Sequence, residues 1–403
     1  MFLSLETPLY TNISLEKFVL LFQELFDHDL AKPLTIIFDE IQYLAKWEQH
    51  LKSLVDSFPQ IKFIVSGSAA AALKLKSQES GAGRFTEFML PPLTFCEYLR
   101  FIGRQSKLIR DDEKGTYSSD IELLNDEFIN YLNIGGYPEA ALNKEIREDP
   151  GRYIKNDIID KVLLRDLPQL YGIRDIQELN RLFTTLAFNT ANEVSLNELS
   201  KSSGVSKTTL IKYLDYLEAA FLIKRVKRID QNAKRFKRDN FFKIYLTNPS
   251  MRSALFGTVA DDDKTMGAMA ETALFAQGFH SPSIDEKVCY ARWPKGEIDM
   301  VNLSGKNQKP VWCMEIKWSD RALSDPKMYR HILEFAERNP LSQKVAFVTT
   351  KTQGTSKKIG NITIYFQPVA LFTYLMGKNA LEERTALESA INNFSEPAEE
   401  LQP

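Results

Sequence analysis

The sequence predicts an α/β protein of three blocks, and three observations carry that prediction. Residues 1 to about 105 alternate short apolar runs, Leu34–Phe38 and Phe63–Val65, with amphipathic stretches, the pattern of a buried parallel sheet flanked by helices. Residues from about 120 to 250 have mostly helical period and end in a basic hairpin. Residues from about 262 to 375 read as helix, three strands, helix, strand, strand. At roughly 100–200 residues per domain, 403 residues hold two to four domains. The expected division is 1–105, 106–257 and 258–380, with an acidic, partly disordered tail over 381–403. Gly257 and Asp261–Asp263 mark the linker to the third domain.

Composition narrows the function classes. Lys+Arg 51 against Asp+Glu 53 leaves a formal net charge of -2, so any nucleic-acid surface must be local. Cys96, Cys289 and Cys313 form no C-x-x-C pair, which argues against a disulfide framework or a cysteine-ligated zinc and fits a reducing cytoplasm. No apolar run approaches the ~20 residues of a membrane span, and no signal peptide opens the chain, so a cytoplasmic protein without a membrane partner is expected. None of His28, His50, His280 and His331 has a partner at metal spacing, and each reads as structural or surface.

In the first block, Leu34-Thr-Ile-Ile-Phe-Asp-Glu40 is an apolar strand ending in two adjacent carboxylates. At the C-terminal end of a parallel strand, Asp39 can hold Mg²⁺ and Glu40 can polarise an attacking water, as phosphoryl transfer to water requires. Phe63-Ile-Val-Ser-Gly-Ser68 delivers Ser66 and Ser68 beside the same place, where a hydroxyl can sense a γ-phosphate. The alternative is a surface Asp-Glu pair opening a helix over Ile41–Leu54, since carboxylates favour helix N-termini.

The run Phe38-Asp-Glu-Ile-Gln-Tyr-Leu-Ala-Lys-Trp47, with Val65-Ser-Gly-Ser68 and Gly83-Arg-Phe-Thr-Glu-Phe-Met-Leu-Pro-Pro-Leu-Thr-Phe95, resembles a family of bacterial and archaeal AAA+-type P-loop ATPases that carry a winged helix and a nuclease-like C-terminal domain. Asn133–Ala140 and Lys161–Tyr171 also match its pattern, and Gly135, Gly136 and Pro138 read as turn chemistry. The resemblance implies that Asp39 and Glu40 are the Walker B pair, that Ser66 or Ser68 is the sensor, and that Arg84 contacts phosphate or forms a structural ion pair. One departure stands out: no G-x-x-x-x-G-K-[ST] string occurs anywhere. Met1–Glu6 looks like the strand that follows the phosphate-loop helix, so the first domain is expected to be partial and ATP binding weak. Either the chain begins inside the domain or the domain is kept as a scaffold; the intact Walker B pair favours the first. ATPases of this type commonly complete their site with a neighbouring subunit, which makes a homo-oligomer an open expectation.

In the second block, Ser195 to Gly204 is a capped helix closed by glycine, and Ser206 caps a second helix, Lys207 to Ala219, whose Leu210, Leu214 and Leu217 share a face. Strand-like Leu222–Ile229, a basic loop and Phe241–Leu246 follow, completing a winged helix. Placed on DNA, the second helix would present Lys207, Thr208, Thr209 and Lys212 to a groove, and Lys234, Arg235, Lys237 and Arg238 would meet phosphates. The competing reading is a solvated charge cluster on a module that packs against protein.

In the third block, Asp299 lies in the second strand and Glu315-Ile-Lys317 in the third, where alternation puts Glu315 and Lys317 on one face. Two carboxylates can hold Mg²⁺ or Mn²⁺, Lys317 can steer or deprotonate the attacking water, and Glu271 on the preceding helix can add an oxygen ligand, with Glu297 as alternative. The αβββαβ order with Asp299 and Glu315-x-Lys317 resembles the PD-(D/E)xK, restriction-endonuclease-like superfamily. The leading expectation is therefore a nucleic-acid-associated ATPase with a metal-dependent nuclease-like domain. The alternative is a non-catalytic DNA- or protein-binding regulator in which both sites are vestigial.

Overall fold

In the computed structural model, which describes residues 1–10, 13–67, 84–86, 88, 90–113, 115–235, 240–281, 287–305 and 308–395, the chain divides into two units. The first comprises Met1–Leu90, Asp160–Leu179 and Asp215–Phe221. Strands β1 (Phe2–Ser4), β2 (Leu34–Asp39) and β3 (Ile61–Val65) form a parallel sheet in the order β1-β2-β3, with Leu3 opposite Phe38 and Phe38 opposite Val65. Ile36 and Phe38 point into a core with Leu15, Val19, Trp47, Leu51 and Leu54. Ser14 caps helix Leu15–Phe26 by accepting the Lys17 N–H, and Asp27 ends it in the left-handed region at φ 48°.

The helix expected over Ile41–Leu54 is broken. A 3₁₀ turn covers Ile41–Tyr43 and the α-helix runs Trp47–Ser57. Glu40 (φ 53°) and Lys46 (φ 57°) are both left-handed, a conformation in which a right-handed helix cannot propagate. The apolar runs are also less enclosed than a fully buried parallel sheet demands: Ile64 is 41% exposed.

The second unit comprises Pro91–Ile159, Asn180–Leu214 and Leu222–Pro403. A small hairpin pairs β4 (Ile109–Asp112) with β5 (Gly115–Ser118). Among the described residues, the main sheet has nine strands: β6 (Glu193–Ser195), β7 (Ile223–Ile229), β8 (Phe241–Leu246), β9 (Val288–Trp293), β10 (Gly296–Leu303), β11 (Pro310–Glu315), β12 (Val345–Thr350), β13 (Thr355–Ile359) and β14 (Ile362–Pro368). Their spatial order is β13-β14-β12-β11-β10-β9-β7-β8-β6. Strands β9, β10 and β11 are antiparallel neighbours, whereas β12 joins β11 in parallel. The expected helix, three strands, helix, strand order is present within a residue or two at most ends. A parallel pairing of β7 with β9, Arg228 opposite Tyr290 and Ile229 opposite Ala291, makes one sheet of segments on either side of the expected boundary near Gly257.

Alternation assigns this sheet two cores. Tyr290, Met300 and Met314 face a cluster with Phe128, Ala270, Leu274 and Tyr374, while Cys289, Ala291, Val301 and Cys313 face Ile332 and Phe335 of helix Arg330–Arg338. The three cysteines are free and buried. Helix Val369–Ser395 extends through the start of the expected tail. Among the described residues, no helix is long and apolar enough to cross a membrane.

Gly135 and Gly136 form the expected turn between helices Ile121–Ile134 and Pro138–Leu142, and they supply space as well. Neither has positive φ, and a Cβ on Gly136 would collide with the Asn248 side-chain amide. Asn248 is fully buried, and its Oδ1 accepts from the Ser250 N–H (2.9 Å) and Oγ–H (2.6 Å), so it cannot yield without breaking both bonds. Gly136→Ala is accordingly expected to destabilise the fold by about 1–3 kcal/mol, read as a lower urea midpoint at unchanged m value.

Candidate functional site

The register of β10 and β11, Met300 opposite Met314, brings Asp299 level with Glu315 at the end of the strand pair. Both residues are buried, at 8% exposure each. Lys317, just past β11, places Nζ 2.8 Å from Glu315 Oε1 and 3.7 Å from Asp299 Oδ2. The Ile316 N–H donates to Asp299 Oδ2 at 2.8 Å, which fixes that carboxylate. Asp299, Glu315 and Lys317 therefore meet as alternation predicts.

Glu271, from helix Met266–Gly278, joins the same cluster through two side chains that the sequence pattern did not single out, Lys243 and Tyr245 of β8. Lys243 Nζ lies 2.9 Å from Glu271 Oε1, 2.6 Å from Glu297 Oε1 and 3.5 Å from Asp299 Oδ1. Its side chain is only 3% exposed. Tyr245 OH donates to Glu271 Oε1 at 2.6 Å. The signal that could have found them is a lone lysine inside an otherwise apolar strand, Phe241-Phe-Lys-Ile-Tyr-Leu246, since a lysine is almost never buried unpaired.

The electrostatics follow from burial and crowding. Burial, then the Asp299 charge, pushes Glu271 up to about 7 against the pull of Lys243 and Tyr245. Burial and Asp299 likewise push Glu315 up to about 8, opposed by Lys317. Burial also works against ionising Asp299, but Lys243, Lys317 and the Ile316 N–H hold it below the usual aspartate value. For Lys243 and Lys317 burial disfavours the charge, yet the surrounding carboxylates hold both well above the ordinary lysine value. Both lysines are cations in this cluster.

Among the described residues, no three His, Cys, Asp or Glu side chains converge as a group able to hold a metal ion. Glu271, Asp299 and Glu315 instead form one ionic cluster with ammonium groups between them. Their chemistry still suits a hard cation, because all the donors are carboxylate oxygens and Glu315 Oε2 is buried with no hydrogen-bond donor.

In the first unit, Asp39 and Glu40 close β2 as expected. The Ser66 hydroxyl donates to Asp39 Oδ1, and the Ile41 N–H donates to the Ser66 carbonyl at 3.0 Å, coupling the ends of β2 and β3. Ser68 lies outside the described residues. Glu40 is held by Lys161 Nζ at 3.2 Å and by the Gln42 amide. Burial disfavours the Lys161 charge, but Glu40 raises it above the ordinary lysine value. Lys161 is a site residue that spacing did not reveal. Arg84 forms an ion pair with Asp56 at 2.8 Å, the structural one of its two expected roles.

Helices Leu196–Ser203 and Lys207–Ala219 follow β6, and β7 and β8 follow them. Ser195 and Ser206 cap the two helices, and Gly204 takes φ 72° between them. Lys207, Thr208, Lys212, Lys234 and Arg235 are exposed. Lys237 and Arg238 lie outside the described residues.

With known proteins, the likeness is partial. Residues 1–99 match the family model of an AAA domain, and residues 125–262 match that of a domain of unknown function (DUF8612). The chain is 24% identical over 310 residues to the uncharacterized protein MJ1544 of Methanocaldococcus jannaschii, covering 73% of this chain and 66% of that one. An uncharacterized protein of Haemophilus influenzae is 26% identical over 244 residues, covering 58% of this chain and 56% of its own. MJ1637 of M. jannaschii is 25% identical over 280 residues, or 65% and 57%. The chain thus spans between 56% and 66% of the length of these relatives. No solved structure matches it. The N-terminal segment is AAA-type and ATPase-like by this comparison.

Tyr245→Phe removes the donor to Glu271 and leaves a buried carboxylate oxygen with Lys243 alone. A loss of about 1–3 kcal/mol is expected from chemical denaturation.

Proposed function

We propose that this chain acts on nucleic acid, with Asp299, Glu315 and Lys317 as a metal-dependent phosphodiesterase site and the N-terminal segment as an ATPase-like module. The observation that carries the proposal is the convergence of two buried carboxylates and a lysine at the end of adjoining strands, with Glu315 Oε2 unsatisfied. Asp299 and Glu315 are the residues that would hold Mg²⁺ or Mn²⁺, with Glu271 adjoining. The metal, when bound, supplies Lewis-acid stabilisation of charge on the scissile phosphate. Lys317, kept charged by its two carboxylates, serves as a cation toward that phosphate rather than as a proton acceptor. The restriction-endonuclease-like assignment rests on the helix–three strands–helix–strand order around these residues.

The same proposal assigns Asp39 to Mg²⁺, Glu40 to water activation and Ser66 to γ-phosphate sensing, as the AAA match at 1–99 suggests. DNA binding is assigned to the winged-helix arrangement. Its support is the order of two capped helices and a hairpin in which β8 pairs both β6 and β7, with Lys207, Thr208, Lys212, Lys234 and Arg235 exposed. Lys237 and Arg238 extend this surface by sequence. A second copy of the chain and a cytoplasmic setting belong to the same reading.

A non-catalytic DNA- or protein-binding regulator is the second reading, favoured by one observation: the carboxylates are already neutralised by lysines. Cleavage separates the two. Full-length protein incubated with plasmid, single-stranded DNA and RNA in millimolar Mn²⁺ is expected to cut at least one, and Asp299→Ala and Lys317→Ala to abolish cutting while remaining folded. No cutting of any substrate by folded protein would leave the regulator. For DNA binding, Lys207→Ala or Lys212→Ala is expected to lower the slope of log affinity on log salt by about 1 for each phosphate that is no longer neutralised. An unchanged, shallow slope would remove the basic face from the proposal.

A further inference from the structure

We propose that the Lys243 ammonium is the resident cation of the carboxylate cluster and that a divalent cation must displace it to occupy the Glu271–Asp299 seat. This rests on the metal-site reading above and adds a competitor built into the fold.

Three observations converge on it. Lys243 Nζ touches oxygens of three residues on two elements: Glu271 Oε1 on the helix at 2.9 Å, and Glu297 Oε1 (2.6 Å) and Asp299 Oδ1 (3.5 Å) on β10. Its near-complete burial makes it a fixed part of the site rather than a mobile surface lysine. Second, the centre of the Tyr290 ring lies 5.5 Å from the ammonium, and Tyr245 OH shares Glu271 Oε1 with it, so the seat is shaped for one compact cation. Third, Glu315 Oε2, on a buried residue beside Asp299, has no donor, so the two ammoniums leave one buried carboxyl oxygen of the cluster unsatisfied.

Ammonium and divalent metal exclude each other on geometric and electrostatic grounds. The carboxylate oxygens that bind Lys243 at ammonium distances would have to close to about 2.0–2.1 Å around Mg²⁺, leaving no room for Nζ. Two cations in contact would also repel at low dielectric. Occupation of the Glu271–Asp299 seat by a metal therefore requires the Lys243 side chain to leave its three carboxylate partners.

The test is Mn²⁺ binding to full-length protein, read by electron paramagnetic resonance of free Mn²⁺ and by melting temperature in EDTA against Mn²⁺. Wild type is expected to bind weakly, with a melting temperature little moved by millimolar Mn²⁺. Lys243→Met should bind at least about tenfold more tightly and be stabilised by Mn²⁺, whereas Lys243→Arg should behave as wild type. Adding Asp299→Asn to Lys243→Met should erase the gain. Should Lys243→Met not fold, Glu297→Gln decides: it removes the shortest partner of Lys243, so Mn²⁺ should bind more tightly although a negative charge has been removed. Weaker binding in Glu297→Gln would overturn the proposal. Wild type binding as tightly as Lys243→Met, with loss in Asp299→Asn, would overturn the competition and leave the metal site standing. No binding by any folded variant would overturn the metal site itself.

Discussion

Four carboxylates crowd one end of a sheet, three of them with little exposure and Glu297 half-buried, and such crowding out of water needs cations placed among them. Glu271, Glu297, Asp299 and Glu315 come from one helix and two strands, and Lys243 and Lys317 bind all four. Removing one partner of such a pair typically costs about 3–5 kcal/mol, because the other is left uncompensated in low dielectric. That constraint fixes more than a site. It ties β8 to helix Met266–Gly278 and to β10, and β10 to the end of β11, beside the short β7–β9 pairing that makes the nine strands one sheet.

The same chemical device recurs at the carboxylates of the first unit. Glu40 is answered by Lys161, while Ser66 restrains Asp39. In each unit a carboxylate assigned to phosphate chemistry is paired with a lysine, Glu40 with Lys161 and Glu315 with Lys317, while Glu315 Oε2 keeps no donor. The AAA match at residues 1–99 gives the first unit its ATPase-like character, and the cluster of the second unit carries the phosphodiesterase proposal.

What was legible in the sequence was whatever short-range periodicity encodes. Alternation placed Asp299, Glu315 and Lys317 together because β10 and β11 are adjacent antiparallel strands joined by a short segment. Ser195, Gly204 and Ser206 marked helix ends through their own cap chemistry. Lys243 and Tyr245 escaped, since their partners lie tens of residues away on a helix whose approach no local pattern dictates. The break at Glu40 and Lys46 escaped for the opposite reason: two non-glycine residues adopt the left-handed region against their own preference, and apolar period cannot register that. The three-residue β6, and the β7–β9 pairing of two residue pairs, are too short for any period to show.

The most direct test of this account is a double-mutant cycle on Lys243 and Glu271, with stability measured by chemical denaturation for wild type, Lys243→Met, Glu271→Gln and the double variant. If the buried ionic cluster organises the second unit, the two losses are strongly non-additive, with a coupling energy of about 2 kcal/mol or more and a double variant more stable than Lys243→Met alone. Losses that add to within about 0.5 kcal/mol would contradict it, because the two groups would then not share a buried electrostatic interaction.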